Sequence, residues 1–105
     1  MKTTLTIEQS AELIKRGVTL NENDSEVFDI GELFSLLPKE LYGEETDYCD
    51  CELHIHANKL GWSASYMEIR GSEVVVMKLT SYGVELIDTL FSLLCKLLDT
   101  HVKLD

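Results

Sequence analysis

The residues best suited to chemistry crowd into one short run, Cys49-x-Cys51-x-x-His54-x-His56, which holds four zinc-type ligands. Thiolate and imidazole donors lying about 2.0–2.3 Å from the ion are what tetrahedral zinc takes, so Cys49, Cys51, His54 and His56 are candidate metal ligands. Their spacing argues against a shared ion. On a continuous strand the odd residues Cys49 and Cys51 point one way and the even residues His54 and His56 the other. A bulge between the two pairs would be needed to bring them together. Without one, Cys51 is a core thiol and the histidines line a solvated strand face. Neither cysteine sits in a Cys-x-x-Cys pair or beside a base that would activate it.

A second candidate is the loop Asn21 to Glu32. Counted as a calcium loop it places Asn21, Asn23 and Ser25 at the first three side-chain positions, Phe28 at the eighth, Asp29 at the ninth and Glu32 at the twelfth. It departs from the pattern twice. The first position lacks its aspartate, and the sixth, where a sharp turn needs glycine, is Glu26. An Asx-rich turn followed by a helix cap accounts for the same residues. His101 has no nucleophile or acid that can be assigned to it. The chain has no G-x-S-x-G, no phosphate-cradling glycine loop and no H-E-x-x-H. The expectation is a protein that is not an enzyme and carries no cofactor or metal.

Charge narrows the partners. The 105 residues carry a net charge of −10, and residues 1–52 hold 13 acids against 4 bases. Six acids and no base fall between Glu40 and Glu52. Such a chain repels phosphate backbones, which excludes ordinary nucleic-acid binding. No basic, then apolar, then small-residue N-terminus marks a signal peptide, and three cysteines do not form a secreted disulfide framework. These features imply a cytoplasmic protein without a membrane span, folded as a single domain over 1–105.

The elements that position these residues follow from periodicity. Thr6 and Gln9 form a capping box for a first helix, with Ile7, Ala11, Ile14 and Val18 on one face and Ser10 and Leu13 beside them. Asp29 and Glu32 open a second, which Pro38 breaks, and Pro38 to Tyr42 fits one more helical turn. From Cys51 the period switches to two. A strand to Ala57, a turn at Asn58 to Gly61 and a strand from Trp62 to Ile69 place Ala57 opposite Trp62, Ile55 opposite Ala64 and Leu53 opposite Tyr66. A tight turn at Gly71-Ser72 sets Arg70 opposite Glu73 and puts Val75, Met77 and Leu79 on the same inner face. The last run, Ser81 to Leu98, is the longest apolar-periodic stretch, with Ser81 as its N-cap. The fold class is α+β: two N-terminal helical segments, a three-stranded antiparallel meander and a long C-terminal helix packed on the sheet.

Two apolar surfaces exceed what this arrangement covers. The last helix has an apolar arc of roughly 200°, against the roughly 100° stripe that one packing surface requires. The outer sheet face ends in Met67, Ile69, Val74 and Val76. The N-terminal helices cannot cover both places, so Met67, Ile69, Val74, Val76, Leu90 and Leu97 are expected at an interface with a second copy, giving a homodimer.

Three stretches together, TLTIEQSAELIKRGV from Thr4, FDIGELFSLLPKEL from Phe28 and VELIDTLFSLLCKLL from Val84, flank a Trp-containing hairpin. In this order they resemble a group of small uncharacterised proteins encoded by phages, prophages and mobile elements of gut bacteria. The resemblance implies a phage or mobile-element accessory protein at work in the bacterial cytoplasm, and it brings no functional residue with it. The leading expectation is a non-enzymatic protein-interaction module that self-associates, with a host protein as a possible partner. One alternative is an acidic nucleic-acid mimic that inhibits a host protein. Another is a zinc-binding protein that uses Cys49, Cys51, His54 and His56.

Overall fold

The structure is a computed structural model that describes residues 2–19, 27–41, 51–70 and 73–99, with the side chains of 41, 68–70 and 73–78 outside the described set. Helices α1 (Ile7–Lys15) and α2 (Ile30–Leu36) precede strands β1 (Glu40–Leu41), β2 (Cys51–Asn58), β3 (Gly61–Arg70) and β4 (Glu73–Gly83), and helix α3 (Leu86–Asp99) closes the chain. The class is α+β. The strands form one antiparallel sheet in the order β1-β2-β3-β4.

Both expected capping boxes are present. Thr6 accepts from the Gln9 N–H and Asp29 from the Glu32 N–H, while each partner side chain accepts in return from the cap's own N–H. The β2–β3 register is also as expected, with Leu53 opposite Tyr66, Ile55 opposite Ala64 and Ala57 opposite Trp62. The turn between these strands is tighter than a four-residue loop. Asn58 pairs with Gly61, and its Oδ1 accepts from the N–H of Leu60 (2.8 Å) and of Gly61 (3.1 Å).

The β3–β4 register begins as expected, with Arg70 opposite Glu73 and Ile69 opposite Val74. Two irregularities then shift it, so that Glu68 meets Val76, Met67 meets Met77 and Tyr66 meets Leu79. Met77 therefore pairs with the outer-face residue Met67, not with Tyr66. The accumulated offset of two restores side-chain parity beyond that point, because strand side chains alternate with period two. Ser81 consequently lies in β4, opposite Ala64, and not at a helix N-terminus. It is buried, and its hydroxyl bonds to Ser92 of α3 at 3.1 Å. Residues 38–41 form no helical turn: Glu40 and Leu41 are strand β1, and the carbonyls of Pro38 and Lys39 are taken by β3 and β2. Tyr66 Oη donates to the Pro38 carbonyl (2.7 Å) and the Leu53 N–H to that of Lys39 (2.9 Å). Burial pushes the Tyr66 phenol well above its ordinary pKa.

Helix α3 packs on β3 and β4 with one side and against α2 with another. Side chains tie α1 and the N-terminus to it as well. Gln9 and Lys2 both donate to Asp88 Oδ1 (3.0 and 2.9 Å), and Arg16 pairs with Asp99. Burial acts to raise the Asp88 pKa, but the hydrogen bonds from Lys2 and Gln9 and the Lys2 charge outweigh it and leave the carboxyl below its ordinary value. Most of the wide apolar arc of α3 is thus covered from within the chain, with Phe91, Cys95 and Leu98 half-buried along one edge. Leu90 and Leu97 are fully buried and cannot belong to a subunit interface.

Helix α1 turns a different side inward from the one its apolar spacing suggests. Leu13 and Ser10 are fully buried, whereas Ile7 is 61% and Ile14 48% exposed. Hydrogen bonds accompany this rotation. Ser10 Oγ accepts from the Phe28 N–H (3.1 Å), and Gln9 and Arg16, one turn before and after Leu13, reach α3. With Ser10 turned inward its hydroxyl is satisfied, and Leu13 beside it joins the core.

Candidate interaction and binding surfaces

Helix α2 packs on α3 and side chains from α1 reach it, and the far side of the sheet carries a separate set of side chains. β2 alternates, sending Cys51, Leu53 and Ile55 toward the core and Glu52, His54 and His56 outward. The pairings of β2, β3 and β4 then order the outer side chains into cross-strand rows. His54 stands opposite Ser65, which stands opposite Thr80; His56 stands opposite Ser63, which stands opposite Tyr82. Met67 lies beyond Ser65 and is half-buried. Serines thus floor the middle of this face between a column of imidazoles and a column formed by Thr80 and Tyr82. Ser65 is buried, and Thr80 Oγ1 is buried with no hydrogen-bond partner among the described residues.

The two histidine rings lie nearly parallel, with centroids 6.1 Å apart and planes at 22°. His54 Nε2 is 3.2 Å from Glu52 Oε1. Cys51 is buried on the opposite face, so the sheet separates it from the histidines with which it was grouped as a zinc ligand. Cys49 lies outside the described residues. Among the described residues, no three His, Cys, Asp or Glu side chains converge on a common point.

The second candidate loop divides in the same way. Asn21, Asn23, Ser25 and Glu26 lie outside the described residues. Asp29 and Glu32 are committed to the cap of α2, and Phe28 is core. His101 and the acids of 42–50 also lie outside the described set. So do the side chains of Ile69, Val74 and Val76, whose strand positions alone are described. Cys95 of α3 is half-buried, and burial raises its thiol pKa. No helix among the described residues is long and apolar enough to cross a membrane.

One further surface is not legible in the sequence. At the end of the sheet where β2 turns into β3 and β4 leads into α3, Leu60 is 87%, Tyr82 71% and Val84 78% exposed. With half-buried Trp62 they surround a shallow depression of about 490 Å³ whose lining carries no charged side chain. Glycine makes the close packing here possible. Gly61 adopts φ +146°, and a Cβ on it would stand 2.3 Å from the Gly83 carbonyl oxygen. Tyr82 and Val84 escaped notice because the periodicity of Ser81 to Leu98 assigned them to a helix. Leu60 was the available signal, an apolar residue at the tip of a tight turn where polar residues are usual.

Comparison of the chain with protein families, with curated proteins and with solved structures returned no match.

Proposed function

We propose that the protein is a non-enzymatic interaction module that self-associates through the apolar end of its sheet. The observation that carries this reading is the grouping of Leu60, Tyr82 and Val84, three large exposed apolar side chains beside Trp62. Aromatic and aliphatic anchors on a firm backbone are what a protein interface concentrates at its centre. The occupant we assign is a second copy of the chain. The patch itself is uncharged, so two chains of net charge −10 can meet there without setting acids against each other.

The resemblance to phage and mobile-element proteins of gut bacteria supports a setting in the bacterial cytoplasm, where such a dimer would serve as an accessory protein. Light scattering coupled to size exclusion tests the reading. The full chain should elute as a dimer, and L60E with V84E should convert it to a monomer of 11.9 kDa. A wild-type chain that remains an 11.9 kDa monomer at high concentration overturns self-association.

A further inference from the structure

We infer that His54 and His56 form a chelating site for one late-transition divalent cation, with copper(II) bound most tightly, on the outer face of the sheet and without cysteine. The proposal does not depend on self-association.

Residues at i and i+2 on a strand share a face, so His54 and His56 are held side by side by the backbone of β2. Pairing with β3 fixes that backbone on both residues, since His54 faces Ser65 and His56 faces Ser63. Both neighbours are serines, so no bulky side chain on β3 stands between solvent and the rings. His56 is exposed, and a quarter of the His54 side chain is open.

The distances suit a shared ion. A metal bound at a ring nitrogen lies roughly 3.2 Å from the imidazole centroid, from a bond of about 2.0–2.1 Å plus the ring radius. Two rings on one ion therefore stand roughly 4.5–6.4 Å apart, depending on the angle between them. The observed 6.1 Å falls within that range. The rings are nearly parallel, so a rotation of the His56 ring about χ2 is needed to aim its nitrogen at the ion while His54 stays on Glu52, and that torsion is soft in histidine.

Glu52 completes the arrangement as a positioning residue. Its carboxylate lies 3.2 Å from His54 Nε2 and favours the neutral tautomer with the proton on Nε2, in which Nδ1 carries the lone pair. A carboxylate that holds the ring nitrogen opposite the metal is the usual outer partner of a ligating histidine, fixing its tautomer and raising its basicity. Two imidazoles with waters filling the remaining positions favour copper over nickel and zinc, by ligand type and by the general affinity order of these ions.

Titration calorimetry of the untagged full chain with Cu²⁺, Ni²⁺ and Zn²⁺ salts tests the site. The expected result is one saturable site with copper tightest, reversed by EDTA. His54→Ala and His56→Ala should each weaken copper binding at least tenfold, and Glu52→Gln severalfold. Cys51→Ser and His101→Ala should leave it unchanged. The electron paramagnetic resonance spectrum of the copper-loaded chain should show two nitrogen ligands, falling to one in either histidine variant. Absence of saturable binding overturns the proposal. So does binding that survives H54A with H56A, or binding lost on replacing Cys51 or His101. The histidines lie on an open face, so circular dichroism of the variants should match the parent and separate lost binding from lost folding.

Discussion

The two faces of the sheet are built from the same strands and have opposite fates. Inward, Ala64, Tyr66 and Ser81 are buried beneath α3, whose Leu90, Leu93 and Leu97 are fully covered. Outward, the next residues along, His54, His56, Ser63, Met67 and Tyr82, are exposed or half-exposed. Alternation alone creates two faces, but it does not say which will be covered. The N-terminal helices could have covered the outer face; instead α2 packs against α3 and Gln9 of α1 bonds to it. One layer then carries the stability, and the other is free to hold groups whose value lies in being reachable.

Substitutions on the two faces should differ accordingly, and the largest effect is expected under α3. Leu93→Ala empties a fully buried position and should lower the unfolding free energy by about 3–5 kcal/mol in denaturant titration. A loss below about 1 kcal/mol would mean that the inner layer is far looser than described. At the end where the faces meet, Gly61→Ala forces a Cβ against the Gly83 carbonyl at a positive φ, and should cost about 1–3 kcal/mol. It should also disturb the Leu60–Tyr82–Val84 patch and weaken dimerisation in the same preparation.

Tyr66→Phe removes the bond to the Pro38 carbonyl, the inner face's link to the segment leading into β1, and should cost about 1 kcal/mol. Amide exchange near Lys39 and Glu40 should rise with it. Thr80→Val tests the outer face in the opposite direction. Its hydroxyl is buried without a partner among the described residues, so an apolar group of the same shape should leave stability unchanged or raise it by up to about 1 kcal/mol. A clear loss would reveal a partner that Thr80 Oγ1 depends on. His56→Ala should change the melting free energy of the metal-free chain least of all, within about 0.5 kcal/mol, while removing the copper site.

How much of this was legible depends on how local each determinant is. Thr6 with Gln9 and Asp29 with Glu32 announce their helices because a capping box involves residues three apart. The β2–β3 pairing was legible because a tight turn and one alternating pattern leave a single register in which the apolar residues share a face. The opposition of Cys51 to His54 and His56 came from the same alternation. The β3–β4 register was not legible past Ile69, because bulges have no reliable signature in sequence, and the apolar periodicity of Ser81 to Leu98 extends a helix over Ser81, Tyr82 and Val84, which do not join it. Helix α1 was given the wrong inner side, since Ile7, Ala11 and Ile14 make the better apolar stripe.

The sequence by itself therefore determined the class of fold, the helix starts fixed by caps, one strand register and the outward placement of the histidine pair. Each rests on interactions between near neighbours. Only the tertiary structure decided where the N-terminal helices lie, which side of α1 is buried, that Leu90 and Leu97 are core and that Leu60, Tyr82 and Val84 gather at one end. Those outcomes depend on which layers compete to cover which apolar surface. Contacts such as Ser10 to Phe28 and Gln9 to Asp88 join residues distant in the chain, and their energies are settled only when the layers are stacked.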